Sequence, residues 1–169
     1  MALSTRIFLI GMPASGKSTL GKELADLLQL QFIDLDTEIE EKEARTISEI
    51  FNKAGEDYFR EVEQSNLFNI IDDKASFVMS TGGGTPCYDG NMSKMIKNGT
   101  VVFLDVPVEE LLERLQNQDL ATRPKLNQPD LESILTITIK SRRSYYQRAH
   151  YTLKGKAITA QEILATIKD

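Results

Sequence analysis

Gly11-Met12-Pro13-Ala14-Ser15-Gly16-Lys17-Ser18 follows the apolar run Arg6 to Ile10 and opens a segment of helical periodicity. The pattern is Gly, four residues, then Gly-Lys-Ser: a P-loop, standing where its mechanism needs it, between a strand and a helix. Glycines let the backbone curl until successive N–H groups point at phosphate oxygens, and the helix N-terminus adds a positive dipole end. Lys17 is placed to bridge the outer phosphates and Ser18 to offer a hydroxyl to Mg²⁺. Ala14, Ser15, Gly16, Lys17, Ser18 and Thr19 are thus the expected ATP contacts. A random chain of this length meets the pattern about once in 200, and the strand–loop–helix setting makes coincidence rarer still.

Outward from this loop, short apolar runs alternate with helical-period segments. Lys17 to Gln29 places Leu20, Leu24, Leu27 and Leu28 on one face. Phe32-Ile33 is a second strand closed by Asp34, Phe77 to Ser80 a third, Val101 to Val106 a fourth and Tyr151 to Leu153 a short last one. The fourth is apolar enough to be buried on both faces, as parallel strands are. Thr37–Glu40, Thr46–Glu49 and Thr159–Glu162 have capping-box spacing and are expected to start helices. Gly55 is expected to break or bend the second of these before helix resumes to about Ile71. Pro107 suits the first turn of a helix carrying Val108, Leu111, Leu112 and Leu115. Residues 118–129 are polar with two prolines and read as a mobile loop, and Asp130 to Ala149 as a helix. Strands separated by helices imply βαβ units, hence a three-layer α/β fold: a parallel sheet with helices on both faces and its site beyond the carboxyl ends of the strands.

The chain has 169 residues, enough for one domain spanning 1–169. Its net charge of −5 disfavours a non-specific grip on nucleic acid. The single cysteine, Cys87, excludes an intramolecular disulfide and fits a reducing compartment. Ile7 to Ile10 is too short for a signal or membrane segment. A cytoplasmic monomer with no membrane or nucleic-acid partner is expected.

Several residues stand out beside the P-loop. Asp34 and Asp36 follow the second strand, with a spacing that puts both side chains on one side of an extended segment. Either they form a solvated turn, or Asp34 joins the Mg²⁺ shell and Asp36 meets an acceptor hydroxyl. Arg142 falls on a stripe of Leu131, Leu135, Thr138, Tyr145 and Ala149, beside Ile134 and Tyr146. A guanidinium there is either ion-paired or faces a cleft. Arg60 has Glu63 three residues on, as an exposed helical pair or as a held cation. Two such arginines in one pocket suit a bidentate grip on a carboxylate or phosphate. Arg123, in the proline-containing loop, is a solvated charge or a lid arginine closing over the transferred phosphoryl group. Gly82-Gly83-Gly84 follows a strand and lets backbone approach a ligand closely. His150 and Cys87 read as ordinary packing or surface residues, and the methionines as core fillers.

The ordered set GMPASGKSTLG, FIDLD, GEDYFREVE, STGGG, a loop Arg-Pro and RRSYYQRA resembles shikimate kinase from about residue 6 to about 155. The resemblance implies a nucleoside-monophosphate-kinase-like fold, with a five-stranded parallel sheet, a lid near 118–129 and an acceptor-binding helical region near 36–64. It implies transfer of the ATP γ-phosphoryl group to the 3-hydroxyl of shikimate, in aromatic amino-acid biosynthesis. Lys17, Ser18 and Asp34 then serve ATP and Mg²⁺. Asp36 binds shikimate hydroxyls, as a base or an orienting group. Arg60 and Arg142 hold the carboxylate, Gly82, Gly83 and Gly84 line the same pocket, and Arg123 is the lid arginine. Ala14 stands where the family has a third P-loop glycine. Ser144 replaces the proline of Arg-x-Pro-Leu-Tyr, leaving Arg143 as a rival to Arg142. The stretch from Arg114 to Arg123 is longer than the family's, so either Arg114 or a residue near Lys156 flanks adenine. The rival readings are gluconate kinase, a nucleoside monophosphate kinase and a non-catalytic nucleotide-binding switch.

Overall fold

A computed structural model describes residues 5–118 and 130–168. Five strands, β1 (Arg6–Ile10), β2 (Phe32–Asp34), β3 (Phe77–Ser80), β4 (Thr100–Asp105) and β5 (Tyr151–Lys154), form one parallel sheet in the order β2-β3-β1-β4-β5. Helices are α1 (Lys17–Leu28), α2 (Leu35–Glu43), α3 (Ile47–Asp73), α4 (Asn91–Asn98), α5 (Val108–Gln116), α6 (Leu131–Tyr146) and α7 (Ala160–Lys168). Alternation along the strands divides the core in two. Phe8, Ile10, Met79 and Phe103 pack with residues of α2 to α6 on one face. Ile7, Leu9, Val102 and Leu104 pack with α1 and α7 on the other. The central strands are buried on both sides, which is why they read as continuous apolar runs. No helix among the described residues is long and apolar enough to cross a membrane.

The local signals meet the structure unevenly. Thr46 forms its capping box with Glu49, and Thr159 exchanges hydrogen bonds with Glu162. Gly55 interrupts α3 at φ 84, ψ 173, a conformation that favours glycine. Thr37 is not a cap. The helix starts at Leu35, because Asp34 Oδ1 accepts from the N–H groups of Asp36 and Thr37. A carboxylate already at the strand end satisfies those donors one turn earlier. Leu27 is 45% exposed, not part of the core face. The inward positions of α1 are Leu20, Gly21, Leu24 and Ala25. On α6 the buried stripe is Leu131, Leu135, Ile139 and Tyr146, while Tyr145 points outward. Both tyrosines lie roughly four turns from Leu131, so period alone does not choose between them. The expected lid and Arg123 lie outside the described residues, apart from Gln118.

Topology gathers the site. Because β3 lies between β2 and β1, pairing aligns Asp34 with Ser80 and Leu9 with Ser80. The P-loop after β1, the Asp34–Asp36 segment after β2 and the glycine run after β3 therefore emerge side by side at the carboxyl edge.

Candidate active site

The P-loop turns on two left-handed residues, Ala14 at φ 65 and Gly16 at φ 93. Ala14 adopts this conformation at a cost of about 1–2 kcal/mol relative to glycine. Its carbonyl accepts from Arg114 Nη1 at 3.1 Å, which ties the strained turn to α5. Lys17 opens α1 and is 8% exposed. Its Nζ donates to the carbonyls of Gly11 at 2.9 Å and Met12 at 2.8 Å. The ammonium is thus already inside the curl. Arg114 also donates to Glu110 at 2.8 Å and to the Lys156 carbonyl at 2.5 Å. The two residues named for the adenine side thus meet. Arg114 borders a cleft of about 220 Å³, lined also by Ser15, Gly16, Thr19, Leu20, Val106 and Ile158.

Asp34 divides its two oxygens. One caps α2 and the other accepts from Ser18 Oγ at 2.7 Å, with Ser80 Oγ 3.2 Å from the same hydroxyl. Asp36, two residues further, lies in the first turn of α2. Burial first, then the negative charges of Asp34 and Glu63, push its pKa from 3.8 to about 6, while Lys17 pulls the other way.

The glycine run joins these pieces to the arginines. A Cβ on Gly82 would meet Asp36 Oδ1 at 3.4 Å and Glu63 Oε2 at 3.1 Å. One on Gly83 would meet Arg142 Nη1 at 2.7 Å, Pro13 at 3.0 Å and the Gly11 carbonyl at 3.4 Å. One on Gly84 would collide with the guanidinium of Arg60. A side chain at any of the three positions would displace one of these neighbours. The backbone is squeezed between the P-loop, the acidic pair and both arginines.

Arg60 is held by Glu63 at 2.7 Å, and Glu63 is fully buried with Thr85 Oγ1 donating to its other oxygen at 2.8 Å. This is more than an exposed helical pair, since a buried carboxylate cannot swing away from its cation. Arg142 has no carboxylate within ion-pair distance among the described residues, whereas Arg143 pairs with Asp105 at 3.3 Å. The structure therefore brings Arg142, not Arg143, to the glycine run. Sequence reasoning gave Ser80, Thr85 and the Tyr146 hydroxyl no role at the site. Ser80 and Tyr146 fall within the STGGG and RRSYYQRA stretches and Thr85 directly follows the glycines, but what each touches depends on the sheet order and not on its neighbours in sequence. Cys87 is half-buried, with its thiol pKa raised by burial, and His150 Nδ1 accepts from the Val101 N–H.

Comparison with known proteins agrees with this fold. The shikimate kinase family model matches residues 13–169. A shikimate kinase of Clostridium botulinum (strain ATCC 19397 / Type A) is 46% identical over 144 residues, covering 85% of this chain and 84% of that one. One from Sulfurihydrogenibium sp. is 41% identical, covering 95% and 94%. The crystal structure of shikimate kinase from Bacteroides thetaiotaomicron superposes with a TM-score of 0.91 at 34% identity, covering 98% and 99%. The enzyme from Acinetobacter baumannii in complex with shikimate gives 0.87 at 36%, covering 97% and 90%. A family model matched over residues 13–169, with a relative 46% identical over 85% of the chain, places this chain in the shikimate kinase family.

Proposed function

We propose that this chain transfers the γ-phosphoryl group of ATP to the 3-hydroxyl of shikimate, giving shikimate 3-phosphate and ADP for aromatic amino-acid biosynthesis. The observation that carries the reading is the glycine run, pressed at once against Asp36, Arg60, Arg142 and the P-loop. A small acid with several hydroxyls needs cations at one end, a carboxylate at the other and a phosphoryl donor beside it.

Arg60 and Arg142 hold the acceptor's carboxylate, and Gly82, Gly83 and Gly84 form the floor under it. Asp36 meets the 3-hydroxyl. With its pKa near 6 it is ionised around neutral pH and strong enough as a base to take or orient that proton. The hydroxyl oxygen bonds to the γ-phosphorus, its proton goes toward Asp36, and the bond to the β–γ bridging oxygen breaks as ADP leaves. Lys17, with the N–H groups of Ala14 to Thr19, holds the phosphates. Arg123, which lies outside the described residues, is assigned to the same phosphates on the strength of the resemblance. Arg114 and the Lys156 backbone flank the adenine side.

The Ser18 hydroxyl and Asp34 carboxylate are hard oxygen donors 2.7 Å apart, the chemistry Mg²⁺ prefers. No cluster of three or more His, Cys, Asp or Glu that would hold a metal ion occurs among the described residues, so these two suit an ion shared with phosphates. When bound, Mg²⁺ neutralises charge on the β- and γ-phosphates.

An ADP-release assay across shikimate, gluconate and several nucleoside monophosphates tests the reading. Turnover with shikimate alone is expected. Comparable turnover with gluconate or a nucleotide, or none with shikimate, refutes it.

A further inference from the structure

Tyr146, at the end of α6, is the largest of the fully buried side chains among the described residues. Its ring lies 4.8 Å from that of Phe103 on β4, at 34°. Phenylalanine would fill this space equally well, so packing does not call for the hydroxyl. A buried hydroxyl must also find partners, or its burial costs free energy.

The partners lie at the acceptor site. The Tyr146 hydroxyl donates to the Gly83 carbonyl at 2.7 Å and sits 3.8 Å from Met12 Sδ at the start of the P-loop. Arg142, one turn earlier on the same helix, lies close enough for its charge to pull the phenol's pKa down, against the larger effect of burial. Arg142 rests in turn on Gly83, since a Cβ there would lie 2.7 Å from its Nη1. One hydroxyl therefore lies beside both walls of the slot between the guanidinium and the glycine run. Burial raises its pKa to about 12, so it keeps its proton and remains a donor over any working pH.

Resting on the acceptor reading above, we propose that the Tyr146 hydroxyl is a positioning group for the acceptor's carboxylate. It fixes the separation of Arg142 from the Gly83 peptide. Arg142 has no carboxylate among the described residues to hold it, and a long side chain left loose loses rotamer freedom on binding. Fixing the Gly83 peptide on which the guanidinium rests, from a hydroxyl beside that guanidinium, reduces the loss before the acceptor arrives.

The test is Tyr146→Phe, which deletes one oxygen and keeps the ring. Tyr145→Phe, on the exposed neighbour, is the control. Dissociation constants for shikimate and for ATP are measured by calorimetry, with KM and kcat alongside. Tyr146→Phe is expected to weaken shikimate about 10-fold in both Kd and KM and to leave ATP within about two-fold. Tyr145→Phe is expected to change neither. Combined with Arg142→Ala, the Tyr146→Phe penalty is expected to shrink, since the hydroxyl acts partly through that guanidinium. Unchanged shikimate affinity, equal weakening of both ligands, or fully multiplicative penalties overturn the positioning role. If the wild-type protein phosphorylates a different acid, the shikimate assignment falls separately, and the same variants measured with that acid decide the role of Tyr146.

Discussion

Replacing Gly84 by alanine adds one methyl group at the narrowest point of the site. Gly84 has φ −89 and ψ −9, a right-handed conformation that alanine adopts without strain. The backbone therefore has no objection, and the consequence is steric. The new Cβ would overlap Arg60 Nη2 and stand 2.9 Å from both Cζ and Nη1, closer than real Cβ atoms come. The guanidinium is the movable partner, so it must shift, and its 2.7 Å bond to the buried Glu63 lengthens or breaks. A hydrogen bond to a charged group contributes about 1.5–3 kcal/mol, which corresponds to roughly a 10- to 150-fold rise in shikimate KM. The P-loop is untouched, so KM for ATP is expected to stay within about two-fold. Thermal melting, far-UV circular dichroism and the coupled ADP-release assay together separate the effects. A Gly84→Ala protein with wild-type shikimate KM would show that Arg60 does not grip the acceptor. An equal rise in both KM values would show that the glycine run only supports the fold.

Arg142→Ala is expected to raise shikimate KM about 100-fold and leave ATP affinity nearly unchanged, because this guanidinium has no carboxylate partner among the described residues to orphan. Parallel losses for both substrates would make it structural. Asp36→Asn is expected to lower kcat by about three orders of magnitude while ATP still binds. In the wild type, kcat/KM for shikimate falls as pH drops through about 6, because burial holds the Asp36 proton past its ordinary 3.8. An acidic limb near pH 4 would contradict this. The sign for stability is opposite: the charged carboxylate opposes folding above that pH and not below the ordinary value. Ligand-free Asp36→Asn is therefore expected to melt higher than wild type at about pH 8, by up to about 3 kcal/mol, and equally at about pH 3. Leu24→Ala, fully buried on α1, should cost about 3–5 kcal/mol in urea denaturation, while Leu27→Ala at 45% exposure should cost less than about 1. Similar values for the two would refute the helix phase given above.

How much of the site could be read in advance depends on how local each signal is. The Thr46 capping box needs only Glu49, and it forms. Asp34 displaced the Thr37 cap because the end of β2 already delivers a carboxylate to the same amides, a fact about the strand rather than the box. Glu63 was legible as a partner for Arg60 from its spacing, but not as a fully buried anion, since that depends on Thr85 arriving from beyond β3. Arg142 and Arg143 are adjacent in a motif whose proline is here Ser144. Only the position of Asp105 at the end of β4 separates them.

By itself the sequence determined what consecutive residues encode: the phosphate-binding turn, the alternation of strands and helices, the acidic pair and the chemical types needed for an anionic acceptor. These depend on backbone preferences that neighbouring residues settle among themselves. Tertiary structure alone decided that Asp36, Arg60, Arg142 and the P-loop converge on three glycines, that burial pushes the Asp36 pKa to about 6, and that one tyrosine hydroxyl donates to the Gly83 carbonyl beside Arg142. Those facts depend on distances between segments far apart in the chain. The strand order β2-β3-β1-β4-β5 sets such distances, and a charge's surroundings follow from them.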